Sequence, residues 1–403
     1  MHVLALATDG TGGAAYRALL PMQALDERGH RAEYVEWDER EAAPPFEQLR
    51  QADVVHMWRL FRAPARRLAT ALKEAGVAVV FDNDDDMTRV PKGSPAYSEM
   101  KAARAQVAQE LGAMLRLADL VTTTCGELAG RLRRLGGGEV RVVENYVEPG
   151  FLRKRSTAPE GVVVGWVAGA EHRGDLKELR LRRALEQLLE TQPHVSLVSV
   201  GVDVGVRSDR YTHQRFVPFP ELPNVISQFD LALAPIADVS FNRVRSNVKV
   251  KEYAACGVPW LASPIGPYKE LGEEQGGRLV PDHGWEKALT DLTTDAQALA
   301  ALAERAVAWG RTQTVTANVA EWEAVFAEAA ERAGRPVSVP GVASTAGNAL
   351  DADAGGAGRR RAVVPRPIVS SGSAAAGEAA TSAPADDAAR KPRRGLFRRR
   401  ATR

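Results

Sequence analysis

Short apolar runs alternate with longer amphipathic segments along most of this chain. The first run, residues 2–7, ends in the glycine-rich turn Thr8-Asp-Gly-Thr-Gly-Gly13. Residues 14–28 then carry Leu19, Leu20, Met22 and Leu25 at helical spacing, and Gly29 stops the helix. The same reading predicts strands over 31–37, 53–58, 77–81, 120–124 and 140–143, with helices over 65–74, 98–117 and 127–135. Strands that are apolar throughout suit a parallel sheet covered on both faces. Their alternation with helices predicts a doubly wound α/β half with right-handed crossovers.

The pattern restarts beyond Pro149, Gly150, Ser156 and Pro159, which mark a boundary near 148–160. Strands are expected at 161–168, 195–200, 230–235, 260–263 and 277–280. A helix is expected over 175–191 with Asp175 as N-cap, and helices fill much of 284–332. The expected division is 1–150, 151–311, a closing helix over 312–333, and a tail over 334–403. In the tail Ala, Gly, Ser, Pro and Arg dominate, so little apolar surface can offset the entropy of ordering, and disorder is expected.

At 403 residues the chain suits two domains rather than one. The formal charge of +2 hides an asymmetry: residues 336–403 hold twelve Lys or Arg against five Asp or Glu, leaving the remainder acidic. By charge, then, the folded body is not a nucleic-acid-binding domain. The terminal cluster Arg390–Arg403, with Leu396 and Phe397, suits weak contact with an anionic membrane surface or an acidic partner, and equally a solvated tail. Cys125 and Cys256 are far apart and lack metal-ligand spacing, which speaks against a disulfide framework or zinc site and for a reducing compartment. No basic leader precedes His2 and no apolar run is long enough to span a bilayer, so a cytoplasmic location is expected, peripheral to a membrane at most.

Two facing doubly wound halves put the C-terminal ends of their strands on either side of a cleft, where ligands bind at topological switch points. Four stretches should face it. Gly10, Gly12 and Gly13 allow close backbone approach; with Ala15 and then Glu36 or Asp38 they loosely mimic a dinucleotide fingerprint, and they also suit a tight turn. Asp82, Asp84, Asp85 and Asp86 crowd one strand end and repel one another unless a cation, a basic acceptor, protonation or solvent compensates. In Glu171-His-Arg-Gly-Asp175, His172 and Arg173 project from a strand-to-helix loop. The fourth stretch runs from Phe241 to Pro259: Ser246 is the expected N-cap, Gly257 and Pro259 close the helix, and Arg243, Arg245, Lys249 and Lys251 crowd its start. Such a helix end either binds an anion or is solvated. Lys249 and Glu252, three apart, share one face.

Taken together these stretches resemble the GT-B glycosyltransferases, specifically the retaining, family 4-like type that uses nucleotide sugars, over nearly all of residues 1–330. The residues concerned are Gly12-Gly-Ala-Ala-Tyr-Arg17, Ala52-Asp-Val-Val-His56, and Ala75 to Asp86, which is similar to a subgroup with an aspartate run. Gly165 to His172 and, most specifically, Ser246 to Pro259 complete the likeness. The resemblance implies that Glu252 binds ribose hydroxyls, and that Lys249, Arg173 and Arg245 face the diphosphate with the Ser246 and Asn247 amides. It also implies that Gly12 and Gly13 admit the phosphates, and that Asp84, Asp85, Asp86 and His172 lie near the reacting sugar or acceptor. No metal or other cofactor is implied beyond the nucleotide sugar, and the last helix should cross back onto the first half. One departure stands out. The family's first glutamate, eight residues before Glu252, is Val244 here; Asp238 could substitute if its loop folds inward. Rival readings are a nucleotide-sugar-binding relative without catalysis, a sugar-nucleotide epimerase, or an NAD-dependent enzyme on a similar frame.

Overall fold

A computed structural model describes residues 1–335 and 337, apart from 11, 41–42, 93, 95–96 and 157–160. Nearly all of the segment expected to be disordered lies outside the described residues. Two six-stranded parallel sheets organise the chain. The first contains β1 (His2–Ala7), β2 (Arg31–Glu36), β3 (Val54–Trp58), β4 (Ala78–Asp82), β5 (Leu120–Thr123) and β6 (Val140–Val142), in the order 2-1-3-4-5-6. The second contains β7 (Val162–Ala168), β8 (Val195–Gly201), β9 (Tyr211–Gln214), β10 (Leu231–Ala234), β11 (Trp260–Ala262) and β12 (Gly277–Leu279), in the order 12-11-10-7-8-9. This is the α/β, doubly wound GT-B architecture with two Rossmann-like halves.

Each sheet is buried on both faces. On the first, Leu4, Leu6, Val55, Met57, Val79 and Phe81 face one core, and Val3, Ala5, Val54, Ala78 and Val80 the other. That alternation explains why the central strands β1, β3 and β4 are largely apolar on both faces. Edge strands are less covered: β9 is Tyr-Thr-His-Gln, none of it fully buried. Its polar pattern escaped the apolar-run criterion. The expected helix over 175–191 is two helices, Arg173–Glu178 and Leu181–Thr191, broken at Arg180, whose φ of 52° is left-handed. Asp175 therefore lies inside the first of them, not at its N-cap.

The chain passes between the sheets twice. Val147 bridges to Thr314: the Val147 amide donates to the Gln313 carbonyl at 2.9 Å and the Val315 amide to the Val147 carbonyl at 2.8 Å. The helix Val315–Arg332 then packs Val319, Trp322, Phe326 and Ala329 against the first sheet. Val244 of the second half is fully buried in the first half's core.

Candidate functional site

The strand orders place one switch point between β1 and β3 and another between β7 and β10. At the first, Gly12 takes φ 53° and the turn presses on the ends of β3 and β4. A Cβ on Gly13 would lie 2.8 Å from Asp84 Oδ2 and 2.8 Å from Trp58 Cζ2. Gly13 thus permits protein-to-protein approach at this turn, while Gly12 supplies the left-handed backbone.

The aspartate run is not a surface cluster. Three of its four carboxylates are buried, Asp85 is half-buried, and each meets an arginine. Asp82 pairs with buried Arg17 at 2.6 Å and accepts from the Thr122 hydroxyl at 2.5 Å. Burial opposes its ionisation, yet the Arg17 guanidinium prevails and holds it well below the usual carboxylate range. Asp84 accepts from Arg59 Nε at 2.6 Å and Trp58 Nε1 at 3.0 Å, Asp85 from Arg59 Nη2 at 2.5 Å, and Asp86 from Arg131 Nη1 at 2.7 Å. Burial, aided by neighbouring Asp84, pushes the Asp85 carboxyl up despite Arg59. Arg59 itself sits at φ 53°, an uncommon conformation for a side chain of this size. Arginines of the chain itself thus meet all four carboxylates of the run.

At the second switch point His172 is buried between two partners. Arg245 Nη1 donates to His172 Nε2 at 3.1 Å, so the neutral ring carries its proton on Nδ1 and donates to Asp175 Oδ2 at 2.8 Å. Burial and the neighbouring Arg245 cation both hold the imidazole pKa down. Asp175 Oδ1 also accepts from the Ala237 amide and Asn242 Nδ2, each at 2.8 Å, locking the β7 and β10 loops together. Glu171 accepts from Arg245 Nη2 at 3.1 Å; burial opposes its charge, but Arg245 outweighs it and keeps the pKa low. Arg173 is exposed and has no hydrogen-bond or ion-pair partner among the described residues.

The N-cap position of the helix Val248–Ala255 is Asn247, not Ser246, and its side chain makes no capping hydrogen bond. The Ser246 hydroxyl instead accepts from Asn145 Nδ2 at 3.1 Å, and Asn247 Nδ2 donates to Glu144 at 3.3 Å. The four cations at its start neither point freely into solvent nor share one ligand. Arg243 pairs with Asp238 at 2.6 Å, Arg245 with Glu171, Lys249 with Glu252 at 2.8 Å, and fully buried Lys251 with Glu144 at 2.6 Å. Asp238 is half-exposed and tied to Arg243, so it does not fold inward to replace the carboxylate that Val244 lacks. Glu252, 2% exposed, also accepts from the Tyr16 hydroxyl of the first half.

Sequence reasoning named the loops but missed Tyr16, Arg59, Arg131 and Glu144, which complete them. For Arg59 there was a signal, a cation directly after an apolar strand; for the others there was none. A cavity of about 360 Å³ lies between the halves, lined by Thr124, Arg243, Arg245, Asn247, Lys269 and Glu270 among others. A second, of about 460 Å³, is lined by Asp85, Asp86 and Arg131. Both are of ligand size. No helix among the described residues is long and apolar enough to cross a membrane.

Residues 177–329 match the family described as glycosyl transferase-like. The matched segment contains Lys249, Glu252 and the cations of the helix start, and excludes His172 and the first half. A comparison with curated proteins finds no match. Among solved structures, HepE of Anabaena in complex with UDP aligns with a TM-score of 0.59 at 15% identity, over 80% of this chain and 98% of that one. HepE in complex with UDP-glucose aligns at 0.58 with 15% identity and the same coverage. The sucrose-phosphate synthase of Thermosynechococcus elongatus aligns at 0.59 and 16% identity, over 81% of this chain and 98% of that one. The shared property is the fold: two facing sheets of GT-B type.

Proposed function

We propose that this chain is a nucleotide-sugar-dependent glycosyltransferase of the family 4-like type with an aspartate run, moving a hexosyl group to an acceptor with retention at the anomeric carbon. The observation that carries the reading is the Lys249–Glu252 pair, 2.8 Å apart on one helix face at the cleft, inside the segment matched by the glycosyl transferase-like family. UDP and UDP-glucose in the HepE structures, on the same fold, support a nucleotide sugar as donor.

In this reading Glu252 binds ribose hydroxyls, and Lys249 with exposed Arg173 meets the diphosphate beside the Ser246 and Asn247 amides. Gly12 and Gly13 bring the first half's turn close to it. Arg245, held by Glu171 and His172, extends the positive potential toward Asp85. The carboxylates of Asp84, Asp85 and Asp86 are fixed by arginines, which makes them orienting groups for sugar or acceptor hydroxyls and not covalent nucleophiles. Catalysis then consists of preorganised charge around an oxocarbenium-like centre and a leaving diphosphate. No metal enters this scheme.

Thermal denaturation with UDP, GDP, ADP and their sugars, on the wild-type protein and Glu252→Ala, tests the donor site. Ligand well above its Kd stabilises by a few kcal/mol, roughly RT ln(1 + [L]/Kd). Stabilisation by one base class, lost in the variant, is expected; NAD(H) alone stabilising the protein overturns the reading. Release of the nucleoside diphosphate in the presence of acceptor extracts separates a transferase from a binding-only relative, the reading that buried Val244 would favour.

A further inference from the structure

Both oxygens of Glu252 are already taken. The Tyr16 hydroxyl donates to Oε1 and Lys249 Nζ to Oε2. Tyr16 and Glu252 belong to opposite halves, 236 residues apart, and are 7% and 2% exposed. The Tyr16 ring also packs edge-on against Phe219 of the second half, with centroids 5.4 Å apart. Its backbone lies in a π-helical turn, Ala15–Leu19, directly beyond Gly12 and Gly13. Turns of this kind are rare and concentrate at functional sites. Tyr16 therefore reaches across the cleft and closes the carboxylate off from solvent.

Resting on the donor-site reading above, we propose that the Tyr16 hydroxyl holds the place of a ribose hydroxyl, so that a nucleotide binds by exchanging with Tyr16 at Glu252. Tyr16 is then an affinity-setting residue of the donor site. The physical basis is a one-for-one trade. A phenol hydroxyl and a ribose hydroxyl donate to the same carboxylate oxygen, and a buried carboxylate is costly to leave without a donor. Binding by the wild-type protein is weakened by the hydrogen bond it must break. A ligand that lacks a hydroxyl at this point would have nothing to return to Glu252.

Calorimetric titration with UDP, GDP and ADP, on wild type and Tyr16→Phe, tests this together with the melting temperature of each protein free and saturated. Removing a hydrogen bond to a charged group is worth about a tenfold change or more. We expect at least a roughly tenfold lower Kd for Tyr16→Phe. We also expect a lower melting temperature without ligand that returns to the wild-type value at saturation. A tyrosine that merely braces the two halves lowers both melting temperatures equally and leaves Kd unchanged, which overturns the proposal while the donor site stands. If no nucleotide binds either protein, the donor-site reading falls and the proposal with it. Hydrogen exchange in the wild-type protein provides a second readout that needs no variant. Exchange over residues 14–19 rises on nucleotide binding if Tyr16 is displaced, and unchanged or slower exchange there counts against it.

Discussion

Lys251 Nζ, on a side chain with no solvent exposure, lies 2.6 Å from Glu144 Oε2 and 3.1 Å from the Asn145 carbonyl oxygen, and 4.3 Å from the centre of the Tyr146 ring. The lysine belongs to the second half and its partners to the end of the first. Burial lowers its pKa, against the pull of Glu144. This contact ties the helix Val248–Ala255 to the segment where the chain changes sheets. Replacing Lys251 by Met keeps the volume and removes the donor. The loss expected is about 1–3 kcal/mol, because the Asn145 carbonyl loses a donor while Glu144, with a 44% exposed side chain, can turn to water. Glu144→Leu should cost at least as much, since it leaves a buried ammonium without its counter-charge. Urea unfolding of both variants measures this; indistinguishable midpoints for wild type and variants would contradict it.

Gly13→Ala should be destabilising out of proportion to one methyl group. The new Cβ would meet Asp84 Oδ2 and the Trp58 ring at 2.8 Å, and both are held by the Trp58–Asp84 hydrogen bond. Forced overpacking of this kind costs about 1–3 kcal/mol. Gly12→Ala meets nothing within 4 Å and suffers only from its φ of 53°. Thermal unfolding of the two variants should therefore rank position 13 as the more sensitive.

Arg59 separates backbone strain from side-chain charge. Arg59→Ala leaves Asp84 and Asp85 side by side without their shared cation and keeps a Cβ at φ 53°. Arg59→Gly loses the same ion pairs and relieves the backbone. Both should be less stable than wild type by about 1–3 kcal/mol, the cost of leaving partly buried carboxylates without their charged donor. The glycine variant should be the more stable of the two by about 1 kcal/mol. Equal stabilities would show that the left-handed conformation stores no strain.

The His172 ring is kept neutral by burial and by Arg245 donating to Nε2. Its folded pKa lies below the unfolded value of about 6.5. The unfolded chain therefore takes up a proton first as pH falls, and the stability this residue contributes is present above that value and lost as acid is added. Unfolding free energy should drop between about pH 7 and pH 5 more steeply in wild type than in His172→Gln. Parallel pH profiles for the two proteins would mean that burial and Arg245 together do not hold the ring pKa down.

Most strand positions in both sheets were legible because a strand covered on both faces must be largely apolar, as residues 3–7 of β1, residues 78–81 of β4 and all of β7 are. That constraint is absent at the sheet edges, where β2 was still legible and β9 was not. Edge strand β9 is half-exposed and polar, and nothing local marks the left-handed Arg180 that splits the helix beyond β7. Capping was misplaced for a related reason. Ser246 and Asp175 have good capping chemistry, but Asn145 and the Ala237 and Asn242 donors from other elements engage them first.

At the site, spacing alone put Lys249 beside Glu252, since three residues along a helix is a fixed distance. The same logic placed the aspartates at a strand end. What neutralises each charge was beyond reach. Arg17, Arg59 and Arg131 find Asp82, Asp84 and Asp86 across separations of 65, 25 and 45 residues, and Tyr16 finds Glu252 across 236. Periodicity and turn chemistry act over a few residues and so determine the parallel sheets and the loops that carry polar groups. Ion pairing acts through space between side chains brought together only when the sheets pack, and that packing decided which charges meet each other.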